Sequence, residues 1–535
     1  MMKITPVRSY SYQLRFLQLV NMSKIKENEK FICLDIGTTT LRCLIIDSDR
    51  KILGSSFRKV QLVYPEEGHV EIDPSWLWEN VVGVVNSSLI DANITSADVK
   101  SLGICTQRGT FLTWRKDTGK HFHNFITWKD VRSRGLIEDW NESVILKTIR
   151  LASRLLYLVT RNGRYQAGSK LKMACSHASS RLLWVLENIP NIKEEIEKDN
   201  VMFGTLDTWL IYKLTKNKTF VTDISNASAT GFFDPFTLGW GSWAINILKI
   251  PRNILPPIVD NDYNFGTTDV FGSPIEISTV LADQSAAMLG SYCFNKNDLK
   301  VTIGTGAFIN ENTGEGINCH LDGMYPLVGW KFKGKLTYIN EAPCSDGGSL
   351  IEWLKVAGYI EGISDLKKII DEAVITDDLF FVPAFSGLGP PINDAKAATG
   401  FIGIQPTTTR NKMVVAILES IVFRVALAFQ SLKTSSNYDF KKICIDGGVS
   451  KNDFICQQIA NATGLEVEKA EFEEIAALGI LFACGLCQGL WSDMTKLKRS
   501  KIVEKVYKAD FNSARCEEKM IKWRKAAERF RSWYK

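Results

Sequence analysis

Residues 31–46 read Phe-Ile-Cys-Leu-Asp-Ile-Gly-Thr-Thr-Thr-Leu-Arg-Cys-Leu-Ile-Ile. Two short apolar runs, 31–35 and 41–46, flank a turn of glycine and threonine, which predicts two strands joined by a tight hairpin. The pattern returns at residues 299–310, Leu-Lys-Val-Thr-Ile-Gly-Thr-Gly-Ala-Phe-Ile-Asn. Each hairpin heads one half of the chain. The sequence therefore predicts two similar halves whose turns face each other across a cleft.

Between the hairpins, predicted helices alternate with predicted strands. Helices are expected over 76–89 and 180–188, and strands over 101–105 and 109–115, an alternation typical of an α/β protein. A length of 535 residues suggests roughly two to four domains. We assign them as an N-terminal extension, a first and a second domain, and a basic helical tail, with the bounds 1–29, 30–290, 295–495 and 496–535.

The composition excludes several classes of protein. Hydrophobic residues make up 45% and charged residues 23% of the chain, the balance of a soluble globular protein. The net charge of +6 is too small for a dedicated nucleic-acid binder. Twelve cysteines without regular spacing favour a reducing compartment over a disulfide scaffold. The apolar run 476–491 is too short to span a bilayer and predicts a buried helix, so we expect no integral membrane segment.

The first 26 residues are basic and contain no acidic residue. This composition resembles a mitochondrial presequence, but it is also compatible with an extended or alternative start before Met22. We favour the second interpretation, which predicts a cytoplasmic protein, with a mitochondrial location as the alternative.

The two turns have the chemistry of a phosphate site. Backbone N–H groups and threonine hydroxyls in a tight turn form a concavity suited to an anion. Asp35 ends the strand before the first turn, where a carboxylate would repel phosphate unless a cation lay between them. Mg²⁺ commonly binds one or two carboxylates together with substrate phosphates. The structural alternative is an aspartate that caps its own turn.

Two glycine pairs could form the flat walls that a nucleotide needs. Asp446-Gly447-Gly448 follows an apolar strand and precedes an amphipathic stretch, and Gly347-Gly348 precedes the apolar run 350–356. Neither is a dinucleotide fingerprint or a Walker A loop. A single glycine pair before a helix is more often simple turn chemistry.

Three further positions suggest acid–base chemistry on a small polyol. Asp283 joins the apolar strand 277–281 to a helix of small residues, so it is either a helix N-cap or a general base that takes a proton from a substrate hydroxyl. Arg108 could donate to hydroxyl groups, and Trp128 could form an apolar wall. Taken singly, each of these two is more often a structural arginine or a core tryptophan.

Together these segments resemble the FGGY carbohydrate kinase family, and within it the glycerol kinases, over almost the whole chain. The matching segments are Leu34-Asp-Ile-Gly-Thr-Thr39, Val70-Glu-Ile-Asp-Pro74, Thr106-Gln-Arg108, Phe203-Gly-Thr-Leu-Asp-Thr-Trp209, Thr222-Asp-Ile-Ser-Asn-Ala-Ser228, Asp283-Gln284, Gly304-Thr-Gly306, Phe381-Val-Pro-Ala-Phe-Ser-Gly-Leu-Gly389, Leu418-Glu-Ser420, Asp446-Gly-Gly448 and Ala477-Leu-Gly479. The resemblance implies a two-domain, actin-like ATPase (ribonuclease H-like) fold with a central cleft. It also implies ATP-dependent phosphorylation of glycerol with Mg²⁺, and it allows a homodimer.

The resemblance also assigns roles to individual residues. The nucleotide and its phosphates would be bound by Thr38, Thr39, Thr40, Arg42, Thr305, Gly348, Gly448 and Asn452. Glycerol would be bound by Arg108, Trp128, Asp283 and Gln284, with Asp283 as the base and Asp35 near the metal.

Three positions depart from the family pattern. Gly109 stands where a glutamate usually accepts a glycerol hydroxyl, Ser176 where a tyrosine is usual, and Glu352 where a glutamine is usual. Loss of a charged acceptor weakens binding by about 1.5–3 kcal/mol. The leading hypothesis is an active glycerol kinase. The alternatives are a kinase for another small polyol and a nucleotide-binding regulatory protein with weak or no turnover. A chaperone-like ATPase would need a peptide-binding domain, for which the chain has no room.

Overall fold

The structure is a computed structural model that describes residues 28–318, 324–344, 346–373, 378–436, 438–498 and 501–534. The basic segment 1–26, for which we weighed a presequence, lies outside the described residues.

The first half is built on a mixed sheet with the strand order β13-β14-β5-β1-β2-β3. Strands β1 to β3 form an antiparallel meander, and β5 and β14 add in parallel beside β1. The strands of the first half, inside and outside this sheet, are β1 (Lys30–Ile36), β2 (Thr40–Asp47), β3 (Ile52–Lys59), β4 (Glu71–Ile72), β5 (Val99–Thr106), β6 (Phe111–Arg115), β7 (Phe125–Ile126), β8 (Val201–Thr205), β9 (Thr222–Asp223), β10 (Phe233–Asp234), β11 (Gly239–Trp240), β12 (Ile258–Val259), β13 (Thr267–Thr268) and β14 (Ile275–Ala282).

The second half repeats this arrangement in a sheet with the order β17-β18-β16-β15-β21-β22-β23. Strands β15, β16 and β18 pair antiparallel, and β21 and β22 add in parallel beside β15. The strands of the second half, inside and outside this sheet, are β15 (Leu299–Ile303), β16 (Ala307–Gly314), β17 (Tyr325–Phe332), β18 (Lys335–Cys344), β19 (Phe380–Val382), β20 (Gly400–Ile402), β21 (Lys442–Asp446), β22 (Glu466–Ala470) and β23 (Val503–Tyr507). The predicted repeat of two α/β halves is therefore confirmed.

Helices cover both sheets. They are α1 (Pro74–Asp91), α2 (Arg134–Glu142), α3 (Val144–Thr160), α4 (Gly163–Ser169), α5 (Ala178–Asn188), α6 (Ile192–Glu197), α7 (Leu206–Leu214), α8 (Ile224–Ser228), α9 (Ser242–Leu248), α10 (Asp283–Gly290), α11 (Gly348–Val356), α12 (Asp365–Glu372), α13 (Arg410–Ser436), α14 (Asp453–Thr463), α15 (Ile475–Cys487), α16 (Met494–Lys498) and α17 (Ser513–Arg529). Helix α13 is long and apolar enough to cross a membrane. However, 89% of its apolar 18-residue stretch is buried inside the protein, as in a core helix.

The C-terminal stretch differs from the predicted helical tail. Val503–Tyr507 is a strand that pairs antiparallel with β22 at the edge of the second sheet. Its side chains are mostly exposed, so it lacks the apolar alternation that identifies a strand from sequence. Helix α17 packs on the second half as expected, with Trp523 fully buried and its Nε1 donating to the Phe381 carbonyl at 2.8 Å.

The two halves share one hydrophobic core through helices α10 and α15. Helix α15 lies between the first sheet and α10, and its side chains pack with residues of both halves. The helix crossing is close enough to require glycine. A Cβ atom at Gly479 would lie 1.7 Å from the Ala286 carbonyl oxygen, and one at Gly290 would lie 1.9 Å from the Ile475 carbonyl oxygen. Because Asp283 begins α10, this contact also fixes the position of that carboxylate.

We expect Gly479→Ala to lower the free energy of unfolding by about 1–3 kcal/mol, because the added methyl group pushes α10 away from α15. Thermal unfolding followed by circular dichroism measures the effect. Gly83→Ala in α1 is the control, since a Cβ atom there meets nothing within 4 Å, and an alanine in a helix is favoured by up to about 1 kcal/mol over glycine. Equal melting temperatures for Gly479→Ala and wild type would contradict the close crossing.

Candidate active site

The two glycine–threonine turns meet, as the sequence predicts. The Thr39 Oγ1 and Thr305 Oγ1 atoms lie 2.9 Å apart, although the residues are 266 positions apart in the chain. The first turn is closed by the Gly37 N–H, which donates to the Thr40 carbonyl at 3.0 Å. Thr38, Thr39, Gly304 and Thr305 all remain partly or fully exposed. Hydroxyl and amide groups of both halves therefore converge on one place.

Asp283 follows β14 next to the residues that follow β5. These two strands are parallel neighbours, with Ala282 paired to Thr106, so Asp283 and Arg108 leave the same edge of the sheet. The Asp283 Oδ1 atom accepts the Gln284 N–H at 2.7 Å and lies 3.8 Å from Arg108 Nε. The N-cap of α10 is Ala282, which does not favour the interpretation of Asp283 as a simple helix cap.

Burial raises the pKa of Asp283 above its ordinary value, and the nearby Arg108 cation opposes that shift. The buried carboxylate of Glu341 adds to the increase in the pKa of Asp283. A partly desolvated carboxylate with a raised pKa, held beside a cation, is a suitable proton acceptor.

Glu341 is a site residue that sequence analysis missed. It lies on β18, is almost fully buried, and accepts from Arg108 Nη2 at 2.5 Å. Asn310 Nδ2 and the Tyr325 hydroxyl also donate to its carboxylate, at 2.9 and 3.3 Å. Glu341 thereby orients the Arg108 guanidinium from the opposite half of the molecule. No clear signal marked it, because its strand also contains the polar residues Lys335, Thr337 and Asn340.

Trp128 lies beside the first turn. Its Nε1 donates to Thr38 Oγ1 at 2.9 Å. Its ring meets that of Phe308 edge to face, with 6.3 Å between the ring centroids. Phe308, which follows the second turn, was not singled out from the sequence. The two rings form an apolar wall that continues into the phosphate-like turns.

Gly109 and Ser176, two of the positions at which the sequence predicts a departure from the family pattern, are neighbours. A Cβ atom at Gly109 would lie 3.1 Å from the Ser176 carbonyl oxygen, and Gly109 has a φ of +71°. This left-handed backbone explains why the predicted strand at 109–115 begins only at Phe111.

A buried arginine that the sequence did not reveal ties these segments together. Arg181 on α5 is fully buried and donates to the carbonyl groups of Gly109 and Ser176, both at 2.8 Å, and of Cys175 at 2.9 Å. It also donates to the carbonyls of Ile126 and Thr127, next to Trp128. Burial lowers the pKa of Arg181 to about 9.

Asp35 lies at the foot of the first turn, opposite Arg42 in the β1–β2 register. Burial raises the pKa of Asp35 to about 6; a hydrogen bond from the Cys105 thiol at 3.1 Å opposes the shift and the Asp283 charge adds to it. A carboxylate oxygen beside a phosphate-like turn fits Mg²⁺, which takes few protein ligands when phosphates complete its shell. Arg42 forms an ion pair with Glu474, at the start of α15.

The predicted nucleotide positions have different environments. Gly348 packs on the second turn: its N–H donates to the Gly304 carbonyl at 2.7 Å, and a Cβ atom would lie 2.5 Å from that oxygen. Among the residues that the structure describes, a Cβ atom at Gly448 would meet nothing within 4 Å, so no contact with them requires glycine there. Asn452 caps α14 by accepting from the Phe454 and Ile455 N–H groups. Glu352 is exposed and pairs with Lys355 at 2.9 Å.

Gln284 contacts the second sheet. Its Oε1 atom accepts from Thr302 Oγ1 at 3.3 Å and from Lys300 Nζ at 3.4 Å. Lys300, another residue missed from sequence, is fully buried and lies 3.4 Å from Asp446 Oδ1. A fixed cation therefore stands between the helix that begins at Asp283 and the glycine turn after β21.

Comparison with known proteins agrees with this geometry. The sequence matches the N-terminal domain of the FGGY family of carbohydrate kinases over residues 31–290 and the C-terminal domain over residues 299–486. It is 39% identical to glycerol kinase 5 of Bos taurus, covering 94% of this chain and 95% of the relative. It is 32% identical to glycerol kinase 1 of Clostridium tetani, covering 94% and 99%.

A solved structure shows the same fold. The crystal structure of Plasmodium falciparum glycerol kinase with ADP superposes with a TM-score of 0.83 at 27% identity, over 94% of this chain and 98% of that one. Both domains of the family match in order, and they cover the two halves whose turns meet at Thr39 and Thr305. This chain therefore belongs to the FGGY family of carbohydrate kinases.

Proposed function

We propose that the protein transfers the γ-phosphoryl group of ATP to glycerol and produces sn-glycerol 3-phosphate. The observation that carries this proposal is the contact between the Thr39 and Thr305 turns beside the paired Asp283 and Arg108. Relatives named glycerol kinase, at 39% and 32% identity over nearly the full chain, support the choice of substrate.

Asp283 is the proposed general base. As the substrate oxygen approaches the γ-phosphorus, its hydroxyl proton passes to the Asp283 carboxylate. The new O–P bond forms while the bond from the γ-phosphorus to the β–γ bridging oxygen breaks, and ADP leaves. Thr38, Thr39, Thr40 and Thr305 would hold the phosphate oxygens through hydroxyl and backbone N–H groups. Such transfer depends mainly on positioning and charge neutralisation.

Mg²⁺ would be held at Asp35 together with phosphate oxygens, where it would offset the negative charge of the nucleotide. A cation there would also stabilise the ionised form of Asp35, whose pKa burial and the Asp283 charge raise. The buried Lys300 adds a fixed positive charge, which lowers the pKa of Asp283.

The polyol would lie between Arg108 and the wall formed by Trp128 and Phe308. Arg108 would donate to its hydroxyl groups while Glu341 keeps the guanidinium in place. Gly109 and Ser176 leave one end of this site without the charged acceptor and the phenol that the family pattern has there. We therefore infer weaker binding of glycerol, by about 1.5–3 kcal/mol for the lost acceptor. A different small polyol as the preferred substrate is the second candidate, and it is favoured by this same substitution.

We expect Asp283→Asn to lower kcat for glycerol-dependent ADP production by a factor of about 10²–10⁴, because the amide cannot accept the proton. A coupled ADP assay measures the rate, and calorimetry checks that ATP still binds. The control is Asp73→Asn, which keeps a good N-cap on α1. Unchanged ADP release in the wild type across a polyol panel, with ATP bound, would instead indicate a regulatory protein.

The acid limb of the kcat/KM profile should lie above the ordinary aspartate pKa of about 3.9, because the pKa of Asp283 is raised and only its ionised form accepts a proton. The Arg108 cation lowers that pKa, so Arg108→Gln should move the limb to higher pH and reduce kcat/KM. Arg108→Lys, which keeps the charge, should leave the limb nearer its wild-type position. Superimposable limbs for wild type and Arg108→Gln would argue against Asp283 as the base.

Arg181→Met should raise KM for the polyol more than it lowers kcat, while KM for ATP stays unchanged. The substitution leaves buried carbonyls at Gly109 and Ser176 without their donor, at about 1–3 kcal/mol each, and frees the segments that surround the polyol. Arg181→Lys, with fewer donors, should have an intermediate effect. Steady-state kinetics on both substrates, with melting temperatures, distinguish this result from general unfolding, which would affect both KM values.

A further inference from the structure

Helix α3 presents an apolar surface to solvent. Leu146 on its inner side is buried. Its outward side carries large apolar residues that are half or more exposed: Val144 (80%), Ile145 (50%), Leu151 (60%), Leu155 (57%), Leu158 (56%) and Val159 (84%). At 3.6 residues per turn these positions share one side of the helix. Seventeen residues make a strip about 25 Å long. We call this strip the α3 apolar face.

The chain around the α3 apolar face is strongly basic. Between Glu142 and Glu187 there is no acidic residue and there are eight lysines and arginines. Lys147 pairs with Glu142, and Arg164 pairs with Asp234. Four others are exposed and form no ion pair with any residue that the structure describes: Arg154, Arg161, Lys170 and Lys172.

These cations lie along and next to the α3 apolar face. Arg154 is on α3 itself, and Arg161 is its C-cap residue. Helix α4, which leads to Lys170 and Lys172, packs closely on α3, since a Cβ atom at Gly168 would lie 2.6 Å from Ser153 Oγ. The apolar residues and the free cations therefore belong to one surface.

The charge of this surface selects its partner. A second copy of the chain docked by a two-fold axis would bring the same unpaired cations together, which is unfavourable. An anionic lipid surface can accept both the apolar side chains and the cations. A basic amphipathic helix buries its apolar side at the boundary between headgroups and acyl chains, while its cations contact the headgroups. We propose that the α3 apolar face docks the protein on anionic membranes, with the helix lying parallel to the bilayer. The proposal does not rest on the kinase reaction.

The test is co-sedimentation of the full chain with phosphatidylcholine vesicles that contain or lack phosphatidylserine. We expect binding to the anionic vesicles, at least about tenfold weaker binding to the neutral ones, and a decrease with added salt. The variant Leu151→Gln/Leu155→Gln/Val159→Gln should lose at least about tenfold in vesicle affinity. Replacing Arg154, Arg161, Lys170 and Lys172 by glutamine should remove most of the preference for phosphatidylserine.

Ile90→Gln is the matched control, because Ile90 is 78% exposed on α1, outside the basic segment. It should bind vesicles as the wild type does, and the triple variant should keep wild-type ADP production without vesicles. Absent or lipid-independent sedimentation of the wild type, or wild-type binding by the triple variant, would overturn the proposal. The proposal would also fail if the wild type formed a dimer, the triple variant were a monomer, and neither bound vesicles. The α3 apolar face would then join two copies of the chain.

Discussion

The hydrogen bond between the Thr39 and Thr305 hydroxyls is the contact on which the functional geometry depends. It joins the turns of two equivalent hairpins, each formed by interior strands of its own sheet. Because both groups are partly exposed hydroxyls, each can exchange this contact for a phosphate oxygen at little cost. A site shared in this way is complete only while the two halves remain correctly placed relative to each other.

The crossing of α10 and α15 provides that placement. Glycine at 290 and 479 lets the two helix backbones touch, and interiors packed this closely transmit a displacement rather than absorb it. Asp283, the first residue of α10, therefore lies at the junction of the two halves. The electrostatic surroundings follow from the same junction, since Arg108 comes from the first half and Glu341 and Lys300 from the second.

Arg181 holds together the chain segments at Gly109, Ser176 and Thr127. Its guanidinium donates to their backbone carbonyls, which fixes these segments relative to one another. Gly109 and Ser176 both supply a backbone carbonyl to this one buried cation.

The sequence by itself determined the paired hairpins and the two α/β halves, because strand periodicity and turn residues are local properties of the chain. Asp283, Arg108 and Trp128 were assigned together to one site only through the resemblance to the family. Only the tertiary structure decided that Glu341 orients Arg108, that Arg181 binds the carbonyls of Gly109, Ser176 and Thr127, that Phe308 faces Trp128, that Arg42 pairs with Glu474 and that residues 503–507 form an edge strand. Most of these pairings join residues far apart in the chain, and the edge strand lacks an apolar pattern. Burial and partner choice arise when the sheets and helices pack, so no local pattern could encode them.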